Sequence, residues 1–244
     1  MHKEILKEKI KENYGKIALN GNLGSCCGPQ GIYDINNISK KQMSSNVGYK
    51  DIELKLIPEE SILGLGCGAP LKFEDLKRGE TVVDIGSGAG IDVFLASKLV
   101  GNKGKVIGID MTDEMLEKAR KASIGCNNRN VEFRTGDIEE KIPVDDNSVN
   151  VVISNCVINL TSNKTNTFKE IYRILKKDKD ARMIISDLIT TKEISKDNVK
   201  TNDWCSCIDG ALTKENYLQS IKDAGFQNIE ILNEKTYMKL ELEK

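Results

Sequence analysis

The chain is almost without histidine. Its one imidazole belongs to His2, the second residue. No histidine is therefore placed near a folded core to bind a metal or act as a general base. An excess of one charge is missing too: 30% of residues are charged, yet the formal net charge is −1. Nothing global then favours nucleic acid or an anionic membrane as a partner. No apolar run approaches the roughly 18 residues that span a bilayer, and Met1 does not begin a signal-peptide pattern. A cytoplasmic location with reduced thiols is the expectation. Residues 3–16 are basic but also carry Glu4, Glu8 and Glu12, as a mixed-charge helix face does. Internal repeats and low-complexity tracts are absent.

Cysteine is plentiful by contrast. The 244 residues include seven: Cys26, Cys27, Cys67, Cys126, Cys156, Cys205 and Cys207. An odd number at irregular spacing fits no disulfide framework. Thiolates unaccompanied by imidazole suit a soft, thiophilic centre better than a hard or borderline one.

The middle of the chain alternates two patterns. Short β-type runs at residues 81–85, 105–110, 130–134, 148–154 and 181–186 are separated by helix-type segments at 90–100 and 113–123. A further helix carries Phe168, Ile171, Tyr172 and Leu175 at the i, i+3, i+4, i+7 spacing of a face packed on a sheet. Strands alternating with helices predict a parallel, doubly wound α/β sheet. Residues 18–49 are Gly-, Asn- and Ser-rich and read as irregular. After a polar stretch containing Trp204, a helix from Thr213 carries Tyr217, Leu218 and Ile221. Two last runs, 227–232 and 236–242, are close enough to predict an antiparallel hairpin. Three parts are expected: an arm over 1–70, a core over 71–190, and a C-terminal segment over 191–244.

The first strand ends in Asp84-Ile85-Gly86-Ser87-Gly88-Ala89-Gly90, a turn whose missing side chains admit a ligand close to the backbone. Asp110 ends the next strand, where its carboxylate suits a ribose diol. Asp137, in Thr135-Gly136-Asp137-Ile138, suits an adenine amino group. A nucleoside cofactor is expected, with NAD or FAD as the alternative to S-adenosylmethionine. The turn resembles the cofactor turn of class I methyltransferases, which implies a Rossmann-like sheet and S-adenosylmethionine.

Cys126 reads as an ordinary small apolar residue. Cys156 follows a strand in Ile153-Ser154-Asn155-Cys156-Val157-Ile158-Asn159-Leu160, at the sheet edge where open α/β folds place ligands. Cys67 lies in Gly64-Leu65-Gly66-Cys67-Gly68-Ala69-Pro70, too glycine-rich for a core. These blocks, with Val106-Ile107-Gly108-Ile109-Asp110-Met111-Thr112, Cys207-Ile208-Asp209-Gly210-Ala211-Leu212 and Asn13-Tyr14-Gly15, resemble the arsenite methyltransferases over nearly the whole length. That resemblance implies methyl transfer to As(III), with detoxification as the role. It implies that Cys156 and Cys207 hold the arsenic. Cys67 and one member of the Cys26-Cys27 pair would complete coordination and a redox relay served by a thiol reductant of glutathione or thioredoxin type. Which of Cys26 and Cys27 corresponds is open, and Cys205 has no counterpart. Tyr14, Asp84, Gly86, Ser87, Gly88, Gly90, Asp110, Met111, Asp137, Ile138 and Asn155 are implied as cofactor residues.

The chain departs from the family pattern at residues 176–180, where a Pro-Gly-Gly turn is usual. It also stops near Lys244, where longer members continue, which leaves the product range open. Rival readings are a methyltransferase of a small organic substrate, a non-enzymatic thiol sensor, and a zinc site built on Cys26, Cys27 and two other thiols. Activity that survives loss of Cys156 or Cys207 would favour the first; failure to bind S-adenosylmethionine would favour the second. The Cys-Cys and Cys-x-Cys spacings lack the two-residue gap usual in zinc knuckles.

Overall fold

The computed structural model describes residues 3–20, 38–73, 75–125, 129–194 and 207–236. Cys26, Cys27, Cys126, Trp204 and Cys205 lie outside them. The described helices are α1 (Lys3–Asn20), α2 (Lys40–Val47), α3 (Asp51–Leu54), α4 (Ile91–Val100), α5 (Asp113–Gly125), α6 (Lys164–Ile174) and α7 (Lys214–Asp223). The strands are β1 (Thr81–Ile85), β2 (Lys105–Asp110), β3 (Val131–Thr135), β4 (Val151–Asn155), β5 (Arg182–Ser186), β6 (Ile189–Thr190) and β7 (Leu212–Thr213).

The main sheet is parallel throughout, in the order β3-β2-β1-β4-β5. Alternation along each strand supplies both faces, because successive side chains point to opposite sides. Val82, Val106, Val151, Ile153 and Ile184 join one core with Val93, Phe94 and Ala96 of α4 and Leu116 and Ala119 of α5. Val83, Ile85, Ile107, Ile109 and Val152 join the other with Phe168, Ile171 and Ile174 of α6 and Tyr217 and Ile221 of α7. The three layers bury both faces of the sheet, as parallel sheets require. Side-chain caps mark where two of these helices begin. Asn163 accepts from Asn166 N–H ahead of α6, and Thr213 accepts from Asn216 N–H ahead of α7.

The chain moves outward from β1 to β3 and returns to β4 on the other side of β1. The strand order thus reverses between β1 and β4, and the carboxyl ends of this pair flank the crevice where such folds take ligands. Helix α1 lies over that end, with Ile17 and Ala18 packed on Ala89 and Met115, and Leu6 and Ile10 beside Met111 and Leu160.

The second run of the expected C-terminal hairpin falls largely outside the described residues. Residues 227–232 pair with no strand among the described residues, and of the second run, 236–242, only Thr236 is described. Ile231 and Leu232 are 48% and 45% exposed. Among the described residues a short parallel ladder pairs Ile189 with Leu212 and Thr190 with Thr213. No helix among the described residues is long and apolar enough to cross a membrane.

Candidate functional site

A cavity opens at the carboxyl ends of β1, β2 and β4. Its walls include Tyr14, Asp84, Gly86, Ser87, Gly88, Asp110, Met111, Asp137, Ile138, Asn155 and Cys156, all expected from the sequence. Gly90 is not among the lining residues. It sits beneath the turn at φ +93, where a Cβ would come within 3.0 Å of Phe94 and 3.1 Å of Phe133. Its task is to start α4 against two packed rings. Gly86 has both constraints at once: φ +69, and a Cβ position 2.4 Å from the Val157 methyls.

Most N–H groups of the turn are bonded within the protein. Gly86 and Ser87 donate to the Ile109 carbonyl at 2.7 and 2.9 Å, and Gly90 donates to Ser87. Gly88 N–H donates to Asp110 Oδ2 at 2.8 Å, while Thr112 N–H donates to Oδ1 at 2.8 Å. Backbone donors that would cradle a phosphate are therefore already used.

What faces the cavity instead is carboxylate. Burial raises Asp84, and the charges of Asp92 and Asp110 raise it further. Burial pushes Asp92 up to about 6 against donors from Tyr49 and Asn155, and it raises Asp110 despite its two backbone bonds. None of the three has an ion-pair partner among the described residues, and the buried Asp92 Oδ1 and Ser87 Oγ have no hydrogen-bond partner. Such a wall suits a cationic ligand and repels a pyrophosphate. Asp137 is engaged differently: it pairs with Lys7 of α1, which also reaches Glu140 at 3.1 Å. That link ties α1 across the cavity mouth.

Asn155 lines the cavity and also secures the loop of Cys67. Its Oδ1 accepts from the N–H groups of Cys67 and Gly68, both at 3.3 Å. Its Nδ2 donates to the Gly68 carbonyl at 2.8 Å and to the Tyr49 hydroxyl at 2.9 Å. Tyr49 in turn donates to Asp92 Oδ2 at 2.8 Å.

Cys67, Cys156 and Cys207 are brought together at this edge, buried among Tyr14, Leu65, Leu160 and Leu188. No disulfide joins any two of them. Cys156 N–H donates to the Ser186 carbonyl at 2.7 Å, and Cys67 Sγ lies 3.6 Å from the same oxygen. Cys207 Sγ donates to the Cys156 carbonyl at 3.0 Å. Cys156 and Cys207 both hold positive φ, +61 and +66, a conformation that strains a residue with a Cβ.

Several residues here escaped the sequence. Lys7 and Tyr49 meet the site only through long-range contacts, whereas Asp92 stands in the first turn of α4, two residues past Gly90. Lys164, buried against the Asn159 and Thr161 carbonyls, is lowered to about 8 by burial. Asp187 alone carried a readable signal: an acidic residue just past the carboxyl end of a parallel strand.

Residues 76–225 match a family model described as a methyltransferase domain. The chain is 39% identical, over 93% of its length, to the arsenite methyltransferase of Halobacterium salinarum, of which it covers 59%. It is 36% identical, over 60% of its length, to the arsenite methyltransferase of Mus musculus, covering 40% of that protein. The crystal structure of an arsenic (III) S-adenosylmethionine methyltransferase from Chlamydomonas reinhardtii superposes with a TM-score of 0.61 at 28% identity, over 78% of this chain and 62% of that one. The chain thus spans under two thirds of the length of each of these relatives.

Proposed function

The chain belongs to the methyltransferase-domain family, and we propose that it transfers a methyl group from S-adenosylmethionine to As(III) held by cysteine thiolates. One observation carries the reading: three buried thiols converge at the edge of a carboxylate-walled cavity, with Cys156 common to both.

The cavity's residues fit the cofactor. Asp84 and Asp92 are buried acids without an ion-pair partner among the described residues, and they suit a ligand bearing an ammonium and a sulfonium. Asp110 is fixed by two backbone donors, leaving its carboxylate oriented toward a ribose diol. The occupied N–H groups of the turn favour this cofactor over NAD or FAD, whose pyrophosphate would want them. When bound, S-adenosylmethionine supplies an electrophilic methyl group.

The thiols supply the rest. Trivalent arsenic is thiophilic, so Cys156 and Cys207, with Cys67 as a third sulfur, suit it better than oxygen or imidazole ligands. Thiols must deprotonate to bind it, so substrate loading releases protons. Held by sulfur, arsenic keeps a lone pair as nucleophile and needs no general base, consistent with a chain whose one histidine is His2. The protein's contribution is mainly positioning. Methyl transfer leaves arsenic formally pentavalent. Two thiolates then give one electron each, arsenic returns to As(III), and the sulfurs join as a disulfide that an external thiol of glutathione or thioredoxin type reduces. Cys67 and the Cys26-Cys27 pair are assigned to coordination and this relay. In the three-part division, 1–70 covers the cofactor and brings a thiol, 71–190 binds the cofactor, and 191–244 brings Cys207. Detoxification of arsenic in the cytoplasm is the role this chemistry suits.

Purified protein incubated with arsenite, S-adenosylmethionine and a thiol should yield methylated arsenic and S-adenosylhomocysteine. Cofactor turnover on small organic acceptors with none on arsenite would reject the reading.

A further inference from the structure

Asp187 sits among the thiols. One carboxylate oxygen and the sulfurs of Cys67 and Cys156 all lie within 4.8 Å of one another. Such a group looks first like a cation site with Asp187 as ligand. The hydrogen bonds of the carboxylate point elsewhere. Oδ1 accepts from Asn159 Nδ2 and from Leu188 N–H, each at 2.9 Å. Oδ2 accepts from Asn159 N–H at 3.1 Å and from the Tyr217 hydroxyl at 3.0 Å. A carboxylate offers about four lone-pair positions, and four donors occupy them.

Those donors come from the segments that carry the thiols. Asn159 lies three residues beyond Cys156. Leu188 leads into β6, which pairs with β7 just beyond Cys207, and Tyr217 stands on α7 immediately after β7. Asp187 therefore bonds Asn159 beyond Cys156 directly, and through Tyr217 it is tied to α7, which follows β7 downstream of Cys207. Both cysteines hold left-handed backbone conformations, which persist only where surrounding structure enforces them. A half-buried carboxylate that accepts from four donors, and so ties the segment after Cys156 to the helix downstream of Cys207, contributes that constraint.

We infer that Asp187 is a positioning residue that fixes the Cys156 and Cys207 thiols relative to each other for a thiophilic substrate, through Asn159 and Tyr217. The inference rests on the arsenite reading of the site. It assigns Asp187 no bond to arsenic.

The test uses the full chain with Tyr217→Phe and Asp187→Asn. Phenylalanine keeps the ring that packs edge-on against Phe168 at 5.7 Å and removes only the hydroxyl. Asparagine places an amide donor against groups that are themselves donors. As(III) affinity is read from thiolate-to-arsenic ultraviolet absorption, and S-adenosylhomocysteine affinity by calorimetry, both well below the melting temperature. Misplaced reacting groups lose factors on the order of 100. Tyr217→Phe should weaken As(III) binding about 10-fold and Asp187→Asn about 100-fold, with cofactor affinity unchanged. If Asp187→Asn fails to fold, Tyr217→Phe carries the test alone. Wild-type protein that binds no As(III) would overturn the function beneath the inference. Wild-type binding with equal affinity in the folded variants would overturn the strut alone. Zn²⁺ binding abolished by Asp187→Asn while As(III) binding stays intact would replace the strut with direct ligation.

Discussion

The thiol of Cys207 donates to the backbone carbonyl of Cys156 across 3.0 Å, joining two cysteines 51 positions apart. Each therefore helps to hold the other, and sulfur is not required for that contact. A serine hydroxyl at position 207 can donate in the same way, so the local fold tolerates the exchange. Serine oxygen is nonetheless too hard and too weakly ionised to replace a thiolate on arsenic. Cys207→Ser and Cys156→Ser should both abolish arsenite methylation while S-adenosylhomocysteine affinity, measured by calorimetry, stays near wild type. Substantial arsenite turnover in either variant would remove the two-thiol site.

Asp110→Ala should give the opposite phenotype. The carboxylate is held by Gly88 and Thr112 N–H groups at 2.8 Å each. Its loss frees the turn and removes the partner proposed for the ribose diol. A hydrogen bond to a charged group contributes roughly 1.5–3 kcal/mol, so cofactor binding should weaken about 10- to 100-fold. As(III) binding, followed by the fluorescence of Trp204, should persist. Unaltered cofactor affinity would make Asp110 purely structural.

The sheet was legible because it is a local pattern. Val82 beside Val83, and Ile107 beside Gly108 and Ile109, alternate within a few residues and declare which face each side chain serves. Cys156 and Cys67 were legible for a related reason, since their immediate neighbours carry the signal. Pairs such as Lys7 with Asp137, or Tyr217 with Asp187, leave no such trace. Their partners are 130 and 30 residues apart, and each alone reads as an ordinary helix or loop residue. Gly90 was assigned to the cofactor because its conformation and its packing against Phe133 cannot be told apart in a glycine-rich string.

Asp92 makes the free protein's stability depend on pH. Burial raises its pKa from 3.8 to about 6, so the folded state holds the proton more tightly than the unfolded chain. The stability this contributes is fully present below about 3.8 and is lost as pH rises through about 6. A shift of this size corresponds to roughly 3 kcal/mol. Above pH 6 the site holds an uncompensated carboxylate, which a cationic ligand neutralises. Thermal melts at pH 4.5 and 7.5 should show that Asp92→Asn is stabilised relative to wild type only at the higher pH. S-adenosylmethionine affinity of the wild type should rise across the same interval. Parallel wild-type and variant melting curves would leave Asp92 without this role.

Gly86→Ala tests how closely the turn must pass the segment after β4. The new Cβ would lie 2.4 Å from the Val157 methyls at φ +69. Both the clash and the left-handed conformation oppose it, and destabilisation of about 1–3 kcal/mol is expected from the strain alone. Val157→Ala in the same chain removes the two methyl clashes but keeps the Val157 Cβ position at 2.8 Å and the backbone cost. Chemical denaturation of the single and double variants should therefore show partial, not full, recovery. Complete recovery would mean that the left-handed conformation costs little here.

Separating coordination from redox is the sharpest test of the thiol set. Inorganic As(III) has three exchangeable ligands, whereas a monomethyl arsenical has two. Cys156 and Cys207 suffice for the second species, and a third thiolate is required only by the first. Cys67 is the described candidate, since its sulfur lies within 4.8 Å of that of Cys156 and its loop is pinned by Asn155. Cys67→Ser should thus depress turnover of arsenite far more than turnover of the monomethyl substrate. Cys26 and Cys27 are adjacent, so each can cover for the other, and either single serine variant should retain activity. The double variant should show the selective loss if the pair supplies the relay. Single-turnover assays without added reductant sharpen the distinction. A coordinating thiol is needed for the first methyl transfer, while a relay thiol is needed only to restore As(III) afterwards. Equal loss on both substrates would mean that these cysteines serve folding or closure. Full activity in every variant would reduce the working site to Cys156 and Cys207.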